Sequence, residues 1–145
     1  MYQDLSSTSV FGNKTSMNNK ELIRTVFHLL FESESLDENV ITSYFSTDYV
    51  QHVDNETLDF TEFISHIKKV REKIASCRIN FNTLIVENNI VFSNHTVNAI
   101  MKNGASIQQH VLAEFRLCNG RINFCDELTC HQKGDKSESN LGSVR

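Results

Sequence analysis

The chain has 145 residues, 39% of them hydrophobic and 22% charged, with a formal net charge of −4. That length fits one domain with one core, and the composition excludes global disorder. The acidic balance excludes a phosphate-tracking nucleic-acid surface, and no apolar run approaches the roughly 20 residues a membrane span needs.

Residues 1–17 are rich in Ser and Thr, lack periodicity and are expected to form a flexible leader. Met1-Tyr2-Gln3-Asp4-Leu5 has neither the basic start nor the apolar stretch of a secretory signal, so a cytoplasmic location is expected. The folded domain is expected over 18–131. Its first helix starts at Asn18, a capping residue with Glu21 at capping-box spacing, and presents Leu22, Ile23, Val26, Phe27, Leu29 and Leu30 as a broad apolar face. A short second helix is predicted from Asp37 to Phe45, burying Val40, Ile41, Tyr44 and Phe45. The segment from Asp48 to Asp54 has β-type residues and reads as a short strand or extended loop. A third helix follows, capped by Asp59 with Glu62 completing the box. Phe60, Phe63, Ile64, Ile67, Val70 and Ile74 form its stripe, with His66 as a boundary residue. The basic run Lys68-Lys69-Val70-Arg71 reads as a solvated face of that helix.

After Ala75 the hydrophobic period changes to two. Four β runs are predicted at 77–87, 90–101, 106–117 and 121–131, separated by Asn88-Asn89, Asn103-Gly104 and Asn119-Gly120. Asn tolerates the left-handed conformation and Gly adopts it freely, so these pairs mark hairpins and the runs form an antiparallel meander. No Pro interrupts them. Residues 132–145 are polar and read as a tail. The fold class expected is α+β, three N-terminal helices covering one face of a twisted sheet.

Cys77, Cys118, Cys125 and Cys130 form no C-x-x-C pair. Cys125, Cys130 and His131 have poor spacing for zinc, so no metal is expected and buried thiols are the reading. The chain has no G-x-S-x-G, no Gly-rich phosphate loop, no H-E-x-x-H and no dinucleotide fingerprint, so no cofactor is expected.

The string Tyr44-Phe45-Ser46-Thr47-Asp48-Tyr49-Val50-Gln51-His52 resembles the "yF..dYvqH" segment of the SnoaL-like family of the nuclear transport factor 2-like superfamily. Phe115-Arg116-Leu117-Cys118-Asn119-Gly120-Arg121-Ile122 resembles its "fR..dGkI" hairpin. Cys125-Asp126-Glu127-Leu128-Thr129, with Gly134-Asp135 and Leu141-Gly142-Ser143, resembles an uncharacterised bacterial subgroup. The resemblance implies a cone-shaped α+β barrel, a curved antiparallel sheet around a pocket for a small hydrophobic molecule, and a homodimer through the sheet. Members include polyketide cyclases, a ketosteroid isomerase, an epoxide hydrolase and dehydratases, as well as non-catalytic binding modules, so the fold by itself assigns no reaction.

Alternation on the last strand sets Ile122, Phe124, Asp126 and Leu128 on one face and Arg121, Asn123, Cys125, Glu127, Thr129 and His131 on the other. Glu127 lies seven residues after Gly120, where the epoxide-hydrolase branch has a catalytic Asp, so the resemblance places it in the pocket. A carboxylate in an apolar cavity has a raised pKa and acts as acid or base near neutrality. The alternative is a structural carboxylate paired to Arg121 or Arg116. His52 matches the family's "qH" histidine at the cavity wall and would orient a substrate carbonyl or relay a proton; alternatively it holds the strand to the third helix. Asp54 either pairs with His52 or starts the turn before Leu58, and the turn is favoured. Gln51, Tyr49, Thr129, Cys125 and Asp54 complete the expected substrate-binding set, with Glu127 and His52 as the catalytic pair. Two functions are expected to compete: a cofactor-free isomerase, cyclase or hydratase, and a non-catalytic ligand-binding or protein-interaction module.

Overall fold

The computed structural model describes residues 18–133, so the expected leader and most of the expected tail lie outside the described residues. Asn18 Oδ1 accepts the Glu21 backbone N–H at 2.8 Å and opens helix α1, Asn19–Phe27. The helix runs on into a π-helical turn, His28–Glu32. Arg71 clamps the end of that turn by donating to the carbonyls of Leu30 and Ser33, both at 2.7 Å. Asp37 caps α2, Glu38–Tyr44. Strand β1, Phe45–Val53, and β2, Glu56–Asp59, form a hairpin. Helix α3, Phe60–Lys73, then starts on a complete capping box, with Asp59 and Glu62 each accepting the other's backbone N–H.

The meander comprises β3 (Ile74–Glu87), β4 (Ile90–Met101), β5 (Ser106–Cys118) and β6 (Arg121–Lys133). Its turns sit where expected, with positive φ at Asn88, Gly104, Asn119 and Gly120. An added Cβ at Gly104 meets nothing within 4 Å, so its φ of +93° and not crowding favours glycine there.

The sheet is larger than the expected four-strand meander and it is mixed. Six strands lie in the order β2-β1-β6-β5-β4-β3, with β1 parallel to β6 and every other pairing antiparallel. The segment expected as a short strand or loop is a nine-residue strand because it finds partners on both edges. Register shifts interrupt the β3–β4 and β5–β6 ladders, and such bulges bend a sheet. The result is a curved, open α+β cone, with β2 and β3 as its two free edges.

Inward residues of the sheet meet the helices in one core. Leu22, Ile23, Val26 and Leu30 from the first helix pack with Val91, Val111, Phe115 and Ile122 from the strands. A smaller cluster of Val70, Ile74, Ala99, Met101 and Ile107 fills the other end. Each large aliphatic side chain buried this way contributes on the order of 1.5–3 kcal/mol.

Candidate functional site

Between α1, α3 and the inner face of the sheet lies a cavity with about 90 Å³ of free volume. Common ligand pockets run to roughly 300–1,000 Å³, so this cavity has room for only a very small molecule unless side chains give way. Most of the wall is hydrocarbon, supplied by residues such as Leu30, Phe31, Phe63, Ile67, Val97 and Phe115. The polar lining comes from Tyr49 and Gln51 on β1, His66 on α3, Gln109 on β5, Cys125 and Glu127 on β6, and Cys77 on β3.

A bulge in β6 sets the direction of its side chains. Leu117 pairs with Ile122 and Arg116 with Phe124, which leaves Asn123 as an extra residue. The strict alternation expected for this strand therefore breaks: Ile122 turns into the core on the same side as Cys125 and Glu127 instead of the opposite one. Asn123 Oδ1 is left buried with no hydrogen-bond partner among the described residues.

Glu127 is half-buried, deep in the protein but open on its cavity side. Its pKa is raised from 4.5 to about 7, first by burial and then by the charge of Asp54, while a hydrogen bond from the Cys125 thiol pulls it back down. Neither Arg121 nor Arg116 pairs with it. Arg116 bonds Glu114 at 2.8 Å and stacks 4.5 Å from the Phe124 ring. Burial, ahead of the Glu127 charge, also holds the Cys125 thiol well above its ordinary pKa. Cys125 is therefore a protonated thiol and not a poised nucleophile. Tyr49 is 2% exposed, and burial above all pushes the pKa of its phenol well up and keeps it protonated. The phenol donates to Gln51 Oε1 at 2.7 Å.

Four of the residues expected in the site thus meet at the cavity: Glu127, Gln51, Tyr49 and Cys125. His52, Asp54 and Thr129 do not line it. Inward positions on β1 belong to Tyr49, Gln51 and Val53, so alternation sends His52 outward. There its Nδ1 meets Thr57 Oγ1 at 2.9 Å and its ring packs edge-on to Phe124, 5.4 Å away. Asp54 sits in the β1–β2 turn at a φ of +55°. Its carboxylate accepts the Thr129 N–H at 2.8 Å and the Thr129 hydroxyl at 2.7 Å, locking the turn to β6. Asp54 and Thr129 support the strand that carries Glu127; they do not reach the cavity themselves.

His66 and Gln109 are lining residues that the sequence reading did not assign to the site. His66, read as a boundary residue, is 5% exposed, and Gln109 is 4% exposed. A signal was present: each is a polar residue on an otherwise apolar face of its helix or strand. Among the described residues, no group of three His, Cys, Asp or Glu side chains is placed to hold a metal ion.

Comparison with known proteins defines the class first. The wild-type form of IdmH, a putative polyketide cyclase from Streptomyces antibioticus, superposes at a TM-score of 0.65 with 11% identity, covering 84% of this chain and 94% of that one. A nuclear transport factor 2-like protein of unknown function from Exiguobacterium gives 0.64 with 13% identity, covering 75% of this chain and 98% of that one. The fold is therefore nuclear transport factor 2-like. No family model matches the chain. In sequence it is 32% identical over 130 residues to the uncharacterised protein C11D3.04c of Schizosaccharomyces pombe, covering 90% of this chain and 99% of that protein. The chain belongs to one family with that fission-yeast protein.

Proposed function

We propose that this protein binds a small, largely apolar molecule in the cavity and moves a proton on it, with Glu127 as the acid/base group. An isomerase, cyclase or hydratase acting without a cofactor fits this description. The observation that carries the reading is a single carboxyl group in the wall of a mostly hydrocarbon cavity, with Tyr49, Gln51, His66 and Gln109 as further polar lining. A carboxyl titrating near 7 exchanges its proton readily at neutral pH, which is what general acid/base catalysis needs. Mass spectrometry of the purified protein for a retained small molecule, followed by turnover of a metabolite mixture, tests it. Glu127→Gln is expected to lower turnover at least about 100-fold. Recovery of an unchanged ligand with no consumption by the wild type would favour the non-catalytic binding module instead.

We also propose that a second copy of the chain covers the outer face of the sheet. Leu112 and Leu128 pair across β5 and β6 and are 41% and 63% exposed, with Phe92 nearby at 41%. Glu114, Asp126 and Arg116 on the same face offer charges of both signs to a two-fold related copy. Sedimentation of wild type and Leu128→Lys checks this; a wild-type monomer sinks it. A cytoplasmic location belongs to the same proposal, supported by four free thiols. Imaging of a fluorescent fusion tests that part.

A further inference from the structure

At one place the cavity wall is a single side chain thick. Cys77 and Ile79 of β3 line the cavity, and the same two residues line a surface depression of about 360 Å³ that Glu32 also borders. Both are half-buried. Leu30 and Phe31, on the π-helical turn that packs against β3, line the cavity beside them. Such turns are rare and recur at functional sites.

Two unequal ties hold the turn. On the helix side the Arg71 guanidinium donates to two carbonyls, those of Leu30 and Ser33. On the strand side Glu32 Oε2 accepts the Ile79 backbone N–H at 2.7 Å, and among the described residues this is the one hydrogen bond between the turn and β3. Glu32 Oε1 meets His28 Nδ1 at 3.1 Å, and the Glu32 side chain is 25% exposed, so water competes for it. Cys77 feels both ties: burial first and then the Glu32 charge push its thiol up to about 12, while the Arg71 charge pulls it down. The strand is also free to bend here. Among the described residues β3 is an edge of the sheet, with β4 as its one neighbour. Its register against β4 shifts between Ile74 and Ser76 and again between Phe81 and Thr83. The segment 76–81, which carries Cys77 and Ile79, therefore has an irregularity at each end, where the ladder is interrupted and a strand bends.

We propose that residues 76–81 of β3 are the door to the cavity, latched by the Glu32–Ile79 hydrogen bond. The segment bends away from the π-helical turn between its two bulges, and a small neutral molecule passes beside Cys77. Arg71 keeps the turn in place, so the strand is the part that moves. A cavity of about 90 Å³ admits a molecule only when part of its wall gives way, and opening here breaks one hydrogen bond to the turn. The purpose of the door rests on reading the cavity as the ligand site, but its existence does not rest on Glu127 being the proton-transfer group.

Cys125 is the reporter, because it lines the cavity, is 1% exposed and sits on β6, away from the door. Its labelling by methyl methanethiosulfonate is followed by peptide mass spectrometry in a Cys77→Ser protein, so that the door itself takes no label. Adding Glu32→Ala removes the latch and is expected to speed Cys125 labelling about tenfold, the scale of one hydrogen bond to a charged group. Glu32→Gln keeps an acceptor for the Ile79 N–H and should stay within about threefold of the parent. Asp59→Ala removes a helix cap at the opposite end of α3 from Arg71 and should leave the rate unchanged. Labelling at the parent rate in Glu32→Ala overturns the proposal, as does an equal acceleration in Asp59→Ala, which would put access elsewhere or in general loosening. If Glu32→Ala does not fold, hydrogen exchange of the wild type reads the same latch. The Ile79 amide should exchange at a rate that low urea leaves unchanged, and exchange through global unfolding alone overturns the proposal. Labelling measures access and not chemistry, so a catalytically silent Glu127 leaves the door standing, and a failed door leaves the acid/base reading standing.

Discussion

Two titratable groups on the inner face of the same sheet, His95 on β4 and Glu127 on β6, have been driven toward their neutral forms. Burial, with His110 adding to it, lowers His95 from 6.5 to about 4, and burial with Asp54 raises Glu127 from 4.5 to about 7. Their surroundings differ. His95 is 1% exposed, hydrogen-bonds Ser93 Oγ at 2.9 Å, and packs its ring 5.2 Å from Phe27 and 5.3 Å from Phe81. It does not line the cavity. Glu127 borders the cavity. A perturbed pKa marks burial, and only adjoining volume turns a buried group into a candidate site.

The contrast can be broken most forcefully at His95. His95→Ala opens a hole between two phenylalanines and leaves the Ser93 hydroxyl unpaired. Urea unfolding at pH 7 is expected to show a loss of about 3–4 kcal/mol, with ligand affinity in the surviving folded fraction little changed. A loss below about 1 kcal/mol would mean that His95 is not the packing element described.

Glu127→Gln is expected to act in the opposite direction. The folded-state pKa lies above the unfolded value, so the folded protein holds more protons between about pH 4.5 and 7 and loses stability as pH rises through that window. The amide removes that penalty. At pH 8 the variant should be more stable by about 2 kcal/mol, a figure discounted for the open side of the carboxyl, and at pH 4.5 it should match the wild type. Destabilisation at pH 8 would show that the carboxylate serves the fold.

The pH profile of stability sharpens the pair further. The folded pKa of His95 lies below its unfolded value, so its contribution is full above about pH 6.5 and is lost as pH falls toward 4. Between about pH 4.5 and 6.5 the two slopes oppose and partly cancel in the wild type. In Glu127→Gln only the His95 slope remains, so stability should rise with pH across that window, by about 1–2 kcal/mol. Chemical denaturation at closely spaced pH values reads both curves.

The smallest effect is expected at His52. With its ring on the outer face and its nitrogen on Thr57, His52→Ala should cost about 0.5–1 kcal/mol. Calorimetric titration with the small molecule recovered from the purified protein should give an unchanged affinity. A large affinity loss would mean that the outer face communicates with the cavity.

Much of the fold was legible because its signals are local. Asp59 and Glu62 were readable as a capping box from their spacing, and the hairpins from Asn88, Gly104 and Asn119. Alternation located the four long strands to within a few residues. The site was less legible. Gln51, Tyr49, Cys125 and Glu127 were expected there and line the cavity, whereas His52 shares their string but the opposite face. His66 and Gln109 carried a usable signal, a polar residue on an apolar stripe. Ser93 and His95 carry the same signal and belong to the core, so the pattern finds buried polar groups without saying which of them border space.

What the sequence determined by itself was the set of elements and their turns, since caps, periodicity and left-handed residues act over a few positions. Only the tertiary structure decided that β1 would lie parallel to β6, that Asn123 would bulge, and that free volume would remain beside Glu127 and not beside His95. Strand edges pair with residues about 75 positions away, and a cavity is the space several elements fail to fill together. Neither property belongs to any one segment.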